Sequence, residues 1–166
     1  MHIKTHPIDC APDREQPHAH FPEHDDCFAV RQAARHLSQL YERHLSAAGL
    51  TPTQFSILGA LGSQGTNAVG AGAPVLTMAQ LARTMVMERT TLLRALRPLL
   101  RSALVTDTAS ATGCRRRCLA LTAAGRARLG EAGVHWRAAQ DEFERRFGQR
   151  RAAWLRHELL RITRAV

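Results

Sequence analysis

The chain has 166 residues, of which 45% are hydrophobic and 5% aromatic, so it can bury one core but is short for two independent domains. This hydrophobic fraction excludes global disorder, and the abundance of Leu and Ala favours helices. The sequence contains no apolar run of membrane-spanning length and no segment typical of a secretory signal. We therefore expect a cytoplasmic protein without a membrane partner.

The formal net charge is +9, and 22 of the 23 basic residues are Arg. Residues 1–26 carry a net charge of −4, so the rest of the chain carries +13. A domain this basic indicates a polyanionic partner, nucleic acid ahead of membrane, and the planar Arg fork suits phosphates and guanine edges. The alternative at this point is an Arg-rich composition without a dedicated partner.

Residues 1–25 mix Pro, His and acidic residues without apolar periodicity, which predicts a flexible tail. The His residues of this tail lack close metal-ligand spacing, so we predict no metal site and no cofactor. The cysteines are expected to be free thiols, redox sensors or metal ligands rather than structural disulfides in a reducing cytosol. They are Cys10, Cys27, Cys114 and Cys118.

Two helices are predicted after the tail. Apolar residues at helical spacing predict one over 26–48 and another over about 52–61. The Gly-rich residues 62–74 predict an exposed loop. A short strand is expected next, at 75–76.

The segment that follows has the spacing of a helix-turn-helix. Thr77 is placed to cap a helix over about 78–85, and a second helix is predicted over 88–102. The first helix presents its apolar positions inward, namely Met78, Leu81, Ala82 and Met85. The second presents Leu92, Leu96 and Leu99, which lie within about 40° of one another around the helix axis.

The opposite face of the second helix carries hydroxyls and guanidiniums with no acidic residue among them. The major groove admits one α-helix, whose N-terminal residues contact the bases. We therefore predict that Thr90, Thr91 and Arg94 read base edges. The full set of predicted DNA contacts on this motif is Thr77, Arg89, Thr90, Thr91, Arg94, Arg97 and Arg101, with Arg97 and Arg101 nearer phosphates.

Residues 105–106 and 118–121 predict two strands joined by a polar loop. Arg115, Arg116 and Arg117 stand on or just after the tip of this hairpin, where a narrow minor groove attracts arginine. A helix-turn-helix followed by a basic hairpin predicts a winged fold that binds double-stranded DNA.

The pattern over 122–147 is helical, and three apolar residues recur there every seven positions: Leu129, Trp136 and Phe143. Such a spacing is typical of a helix–helix interface. A last helix carries Leu155, Leu159, Ile162 and Val166 on one face. We interpret both helices as a dimer interface, with core packing inside one chain as the alternative.

From Cys27 to the C-terminus the chain resembles the MarR (multiple antibiotic resistance regulator) family of transcription factors. The resemblance rests on LTPTQFSILGAL, on TMAQLARTM followed by ERTTLLRALRPLLRSALV, and on CLALTAAGRARL. It implies a single, mainly α-helical domain over 26–166, with a winged helix-turn-helix at 50–121 and dimerisation helices at 26–48 and 122–166. It also implies a homodimer that reads a pseudo-palindromic operator and binds an effector between these regions.

One candidate trigger is a thiol. Cys27 and Phe28 are similar to the reactive Cys-Phe pair of the family's organic-hydroperoxide-sensing branch, and Tyr41 falls where that branch keeps a tyrosine that hydrogen-bonds the cysteine. A helix N-terminus favours a nucleophilic thiolate, although Asp25 and Asp26 oppose it. The alternative for Cys27 is a cysteine without a sensing role.

The other candidate trigger is an anionic aromatic effector. Arg31, Arg35, His36 and His44 on the first helix are expected to supply the positive end of its pocket, with a solvated helix face as the alternative.

The sequence as a whole predicts a sequence-specific repressor at the bacterial nucleoid, released by an aromatic anion or by thiol oxidation. An architectural DNA-binding protein without an effector is the alternative. An enzyme is not expected, since no phosphate loop, paired carboxylates or Cys-His arrangement stands in a recognisable context.

Overall fold

The computed structural model describes residues 25–63, 75–109 and 117–164. The chain divides into two compact units, residues 1–36 and 37–166. Of the first unit, residues 25–36 are described, and they begin helix α1 (Asp26–Leu45). The carboxylate of Asp25 accepts a hydrogen bond of 3.0 Å from the backbone N–H of Phe28, which caps the helix. Residues 1–24 of the predicted tail, which include Cys10 and the His residues of the tail, lie outside the described residues.

The second unit is mainly helical with one small sheet. After α1, a 3-10 turn (Ser46–Ala48) ends at Gly49, whose φ of 64° reverses the chain. The elements that follow are α2 (Pro52–Ser63), β1 (Leu76–Thr77), α3 (Met78–Met85), α4 (Arg89–Arg101), β2 (Val105–Ala109), β3 (Arg117–Leu121), α5 (Ala123–Phe147) and α6 (Gln149–Arg164). The predicted mainly α winged fold is confirmed. None of the described helices is long and apolar enough to cross a bilayer.

Leucines of α2, α3, α4 and the sheet form the core of this unit. In α4, Leu92, Leu96 and Leu99 are at most 1% exposed, as their helical spacing predicts. Leu81 of α3 is fully buried as well, and burial of such a side chain stabilises the fold by about 1.5–3 kcal/mol. The other predicted inward positions of α3 pack against the same core: Met78, Ala82 and Met85.

The sheet has the strand order β1–β3–β2, with both outer strands antiparallel to β3. Leu119 of β3 pairs with Leu76 on one side and with Asp107 on the other. Strand β2 is longer than the predicted 105–106, because its polar end pairs through the backbone and not through an apolar pattern. The tip of the wing, residues 110–116, lies outside the described residues.

Helix α5 is held against the hairpin at its first turn. The Thr122 hydroxyl accepts a hydrogen bond of 2.9 Å from the N–H of Gly125 and donates one of 2.7 Å to the carbonyl of Ala103. A Cβ atom on Gly125 would overlap the carbonyl oxygen of Leu104. Only glycine therefore permits this close approach of helix and strand.

Leu129, Trp136 and Phe143, which recur every seven positions, form the apolar seam of α5. The first two of them pack within their own chain. Trp136 stacks on Phe55 of α2, with ring centroids 4.4 Å apart, and Leu129 packs against the core. Leu129 and Trp136 therefore make the intrachain packing that was the alternative, and the interpretation of these positions as a dimer interface stays a prediction. Heptad spacing predicts that one face of a helix is covered, but it does not identify the covering element.

Candidate nucleic-acid interface and ligand pocket

The turn between α3 and α4 is closed by Val86. Its backbone lies in the left-handed region (φ 50°, ψ 48°), and its N–H donates to the carbonyls of Ala82 and Arg83. The next N–H, of Met87, donates to the carbonyl of Ala82 at 3.0 Å. A β-branched residue in this conformation is strained, and the 71% exposed side chain offsets little of that strain by packing. The turn sets the direction in which α4 leaves, starting at Arg89.

One face of α4 carries a stripe of exposed hydroxyl and guanidinium groups. Its members are Thr90, Arg94, Arg97 and Arg101, spaced three or four residues apart and therefore stacked along the helix. Among the described residues, no carboxylate lies within ion-pair distance of these arginines. A helix face with uncompensated positive charge, on a rod that fits the major groove, is suited to DNA.

The remaining predicted contacts have different surroundings. Arg89 and Thr91 are exposed at the start of α4. Thr77 caps α3, because its hydroxyl accepts from the N–H of Gln80 at 3.3 Å and donates to the Gln80 side chain at 2.8 Å. The wing arginines are less fully placed: Arg115 and Arg116 lie outside the described residues, and only the backbone of Arg117 is described.

A second candidate site is a pocket of about 360 Å³ between α1, α2, α5 and α6. Its apolar walls come from Leu37, Pro52, Trp136, Phe143, Ala152, Leu155 and Leu159. The polar lining residues are Ser38, Tyr41, Gln140 and Arg156. Mainly apolar walls with a few polar groups are typical of small-molecule sites of this size.

Aromatic rings form one wall of this pocket. Trp136 lies between Phe55, which stacks on it at an interplanar angle of 14°, and Tyr41, whose ring centroid is 4.4 Å away at 56°. Contacts on two sides hold the Trp136 ring in place. Together with Phe143, the rings of Tyr41 and Trp136 make this part of the pocket lining aromatic.

The polar edge of the pocket is a chain of hydrogen bonds from α1 to α6. The Tyr41 hydroxyl donates to Gln140 Oε1 at 2.6 Å, and Gln140 Nε2 donates to Glu144 Oε1 at 2.7 Å. Arg156 Nη2 donates to the same Glu144 oxygen at 3.0 Å. Burial raises the pKa of Tyr41, against a smaller lowering by Arg156, so the hydroxyl stays protonated at neutral pH.

Of the predicted effector and redox residues, Tyr41 is the one that lines this pocket. Cys27, Arg31, Arg35 and His36 belong to the first unit, where all four are exposed. Their part in a trigger stays a prediction.

Gln140 and Arg156 line the pocket but are not among the predicted effector residues. Gln140 follows Trp136 by four positions and therefore lies on the same face of α5. A polar residue on this otherwise apolar face is the feature of the sequence that could have indicated a ligand site. Arg156 had no such signal, because it is one of many arginines on the C-terminal helices.

No family model matches the chain, and no curated protein matches it. Solved structures of transcriptional regulators do match. MosR from Mycobacterium tuberculosis, in complex with DNA, is 35% identical over 85% of this chain and 95% of its own length, with a TM-score of 0.70. A second MosR structure is 36% identical, over 86% and 96% of the two chains, at 0.67. A probable transcriptional regulator from Pseudomonas aeruginosa is 26% identical, over 84% and 98%, at 0.71.

More distant structures share the fold alone. They include MarR from Escherichia coli at 16% identity, with a TM-score of 0.65 over 83% of this chain and 96% of that one. NadR, solved in complex with 4-hydroxyphenylacetate, is 24% identical at 0.63, over 81% and 89%. CouR from Rhodococcus jostii, bound to p-coumaroyl-CoA, is 18% identical at 0.69, over 87% and 96%.

The helix-turn-helix, the hairpin behind it and the uncompensated arginines of α4 define a winged-helix DNA-binding protein. At 35–36% identity over nearly the whole of MosR, the relationship extends beyond the fold. The chain belongs to the MarR family of winged-helix transcriptional regulators, and it is a DNA-binding regulator of transcription.

Proposed function

We propose that the protein is a homodimeric repressor that binds a pseudo-palindromic operator and releases it when an anionic aromatic effector enters the pocket. The observation that carries the DNA-binding half is the stripe of exposed groups on α4, Thr90, Arg94, Arg97 and Arg101, without a described carboxylate beside it. Two copies related by a two-fold axis place two such helices in successive major grooves.

Within this interface we assign base readout to the N-terminal end of α4. Thr90, Thr91 and Arg94 lie in its first two turns, and an arginine fork there matches the O6 and N7 atoms of guanine. The other basic groups are assigned to phosphates: Arg89, Arg97 and Arg101, with Arg115, Arg116 and Arg117 of the wing at the minor groove. Thr77 caps α3 and is assigned a DNA contact through the exposed end of that helix.

The effector half is supported by the chemistry of the pocket. Aromatic walls suit a planar ring, and the guanidinium of Arg156 suits a carboxylate. The 4-hydroxyphenylacetate bound to NadR is an aromatic carboxylate of this kind.

The dimer is supported by the apolar surface of α6. Trp154 is 65% exposed, and Ile162, which lies two turns further along and about 80° away around the helix axis, is 59% exposed. Exposed clusters of large apolar side chains are uncommon on monomers and mark contact surfaces. A second copy of the chain is the partner that a paired operator requires.

Oxidation of Cys27 is a second candidate trigger, because this cysteine is exposed in the first turn of α1. Oxidation of the thiol to a sulfenate would change the charge and size of this group at the helix start. Titration of cumene hydroperoxide against operator binding tests the idea in wild type and in Cys27→Ser. Release that persists in Cys27→Ser, with Cys10→Ser as the matched control, excludes Cys27 as the sensor.

Footprinting on the DNA upstream of the protein's own gene tests the repressor against the architectural alternative. A repressor protects one pseudo-palindrome and binds it far more tightly than random duplex. An architectural protein protects no discrete site, and its affinity falls with salt in the same way on every duplex.

Arg94→Ala tests the readout assignment. We expect it to weaken binding to the protected site about 10- to 100-fold and to relax base choice, because a lost bidentate contact removes about 1–3 kcal/mol of discrimination. Arg101→Ala should weaken binding to specific and random duplexes alike, and Arg137→Ala on α5 is the control outside the interface. Equal losses on both duplexes for Arg94→Ala would contradict the assignment.

A further inference from the structure

We propose that Arg156 is the anion anchor of the pocket and that Glu144 occupies this anchor in the empty state, so that the pocket selects small aromatic carboxylates. This inference rests on the proposed effector function. It adds the chemical class of the ligand and identifies Glu144 as the carboxylate that competes with the ligand for Arg156.

The two members of this ion pair have different positions. Arg156 lines the pocket, whereas Glu144 borders a neighbouring surface recess with Asp141, Arg145 and Gln149. Arg156 is therefore the charged side chain in the lining of the pocket, and Glu144 is its counter-ion beside the pocket. An anionic ligand can replace Glu144 on this guanidinium, whereas a cationic ligand finds no partner of opposite charge among the lining residues.

The guanidinium of Arg156 keeps capacity for a ligand. It offers five N–H donors, and its pair with Glu144 is a single contact of 3.0 Å from Nη2. The side chain is 53% exposed, so it can turn toward a carboxylate that approaches from the pocket. A planar carboxylate can then bind the fork through two parallel hydrogen bonds, which a single-point contact does not provide.

The other polar groups at this edge already have partners. Gln140 accepts from Tyr41 and donates to Glu144, so both functions of its amide are used. If a ligand carboxylate takes Arg156, Glu144 keeps the hydrogen bond from Gln140 and has Arg145 at the edge of its own recess. The exchange replaces one carboxylate by another and leaves no buried group unpaired.

The exchange also affects how the helices are tied together. The Arg156–Glu144 pair joins α6 to α5, and the Gln140–Tyr41 hydrogen bond continues from α5 to α1. A ligand that removes Arg156 from Glu144 therefore acts on the contact between α5 and α6. A bound anion can thereby act on α6, the helix that we propose as the dimer surface.

The test measures ligand binding without DNA, on the full chain with Trp154→Phe, so that Trp136 in the pocket wall is the fluorescent reporter. Three probes of one shape are compared: phenylacetate, phenylacetamide and 2-phenylethylamine. We expect phenylacetate to quench Trp136 at concentrations about tenfold or more below those needed for the amide, because hydrogen bonds to charged groups are the stronger ones. The amine should bind no better than the amide.

Two variants then test Arg156 as the anion anchor and Glu144 as its competitor separately. Arg156→Met should weaken phenylacetate binding about 10- to 100-fold and leave the amide unchanged. Glu144→Gln removes the competing charge and keeps an acceptor for Gln140, so it should strengthen phenylacetate binding several-fold. Arg161→Met is the matched control, since Arg161 pairs with Glu158 on the same helix and does not line the pocket. Arg156→Lys, which retains the charge, should restore part of the affinity if Arg156→Met folds poorly.

Equal affinities for acid and amide, an unchanged acid affinity in Arg156→Met, weaker acid binding in Glu144→Gln, or no quenching by any probe would overturn the inference. The proposed function is read separately, from release of the footprinted DNA. Acid binding that depends on Arg156 but leaves the DNA complex intact supports the inference and contradicts the effector half of the proposed function.

Discussion

Val86 joins the two helices of the DNA-binding motif in a conformation that suits glycine. Replacement by glycine removes a left-handed β-branched residue at the C-terminus of α3 and keeps the two hydrogen bonds of its N–H. We expect Val86→Gly to raise the free energy of unfolding by about 1–2 kcal/mol, measured by chemical denaturation at one fixed protein concentration.

Val134→Gly is the control for this prediction. Val134 is also an exposed valine, 58% accessible, but it lies in the interior of α5, where glycine lowers helix stability. The two substitutions should therefore change stability in opposite directions. A loss of stability in Val86→Gly would show that the valine side chain contributes more than its backbone strain costs.

Glu142 connects α5 to the end of α1 through charged groups. Its Oε2 lies 2.8 Å from His44 Nε2, and its Oε1 lies 2.7 Å from Arg146 Nη2 and 3.9 Å from Arg43 Nη2. The hydrogen bond with His44, with smaller contributions from Arg146 and Arg43, lowers the pKa of this carboxyl below its ordinary 4.5.

This lowered pKa gives a pH dependence with a definite sign. The charged carboxylate is favoured in the folded state, so its contribution is present above pH 4.5 and is lost as the pH falls through the lower folded value. We expect the melting temperature of Glu142→Gln to fall less between pH 5 and pH 3 than that of wild type. Glu158→Gln, which removes a partly exposed carboxylate on α6 that pairs with Arg161, controls for the change in net charge. Parallel curves for wild type and Glu142→Gln would contradict the prediction.

At the scale of elements, the position of α5 on the hairpin depends on Gly125. We expect Gly125→Ala to lower the free energy of unfolding by about 1–3 kcal/mol, because the added methyl meets backbone that cannot move without shifting the strand. Gly130→Ala is the matched control on the same helix. A Cβ there meets no atom within 4 Å, so alanine should raise stability by about 0.5–1 kcal/mol. The free energy of unfolding of both variants is measured by urea denaturation. Similar changes in the two variants would contradict this close packing of α5 against the hairpin.

The helix-turn-helix could be predicted because its elements are local and periodic. Leu92, Leu96 and Leu99 repeat at helical spacing, and a single inward face follows from that spacing whatever packs against it. Thr77 and Gln80 stand three residues apart, so the capping box was also visible in the sequence.

The pocket could not be predicted in the same way, because four helices supply its lining. Trp136 is 81 residues from Phe55 in the sequence, and the period of α5 does not show that α2 covers it. The positive end was expected from Arg31 and Arg35, whereas Arg156, far along the chain, lines the pocket. Contacts between distant segments depend on tertiary packing that no local pattern encodes.

At the scale of the whole molecule, dimerisation and DNA affinity should depend on the same apolar surface of α6. Trp154 is 65% exposed, and a charge at this position opposes burial against a second copy. We expect Trp154→Glu to convert the dimer to a monomer in light scattering, while its circular dichroism stays helical, because the core of each chain lies elsewhere. Since two helices bound together act at a high effective concentration, the monomer should lose operator affinity by at least about 100-fold and retain only weak non-specific binding. Val75→Glu, an exposed valine before β1, is the control and should remain dimeric. A monomeric wild type would contradict the proposed dimer. A Trp154→Glu variant that stays dimeric and binds the operator normally would place the interface elsewhere.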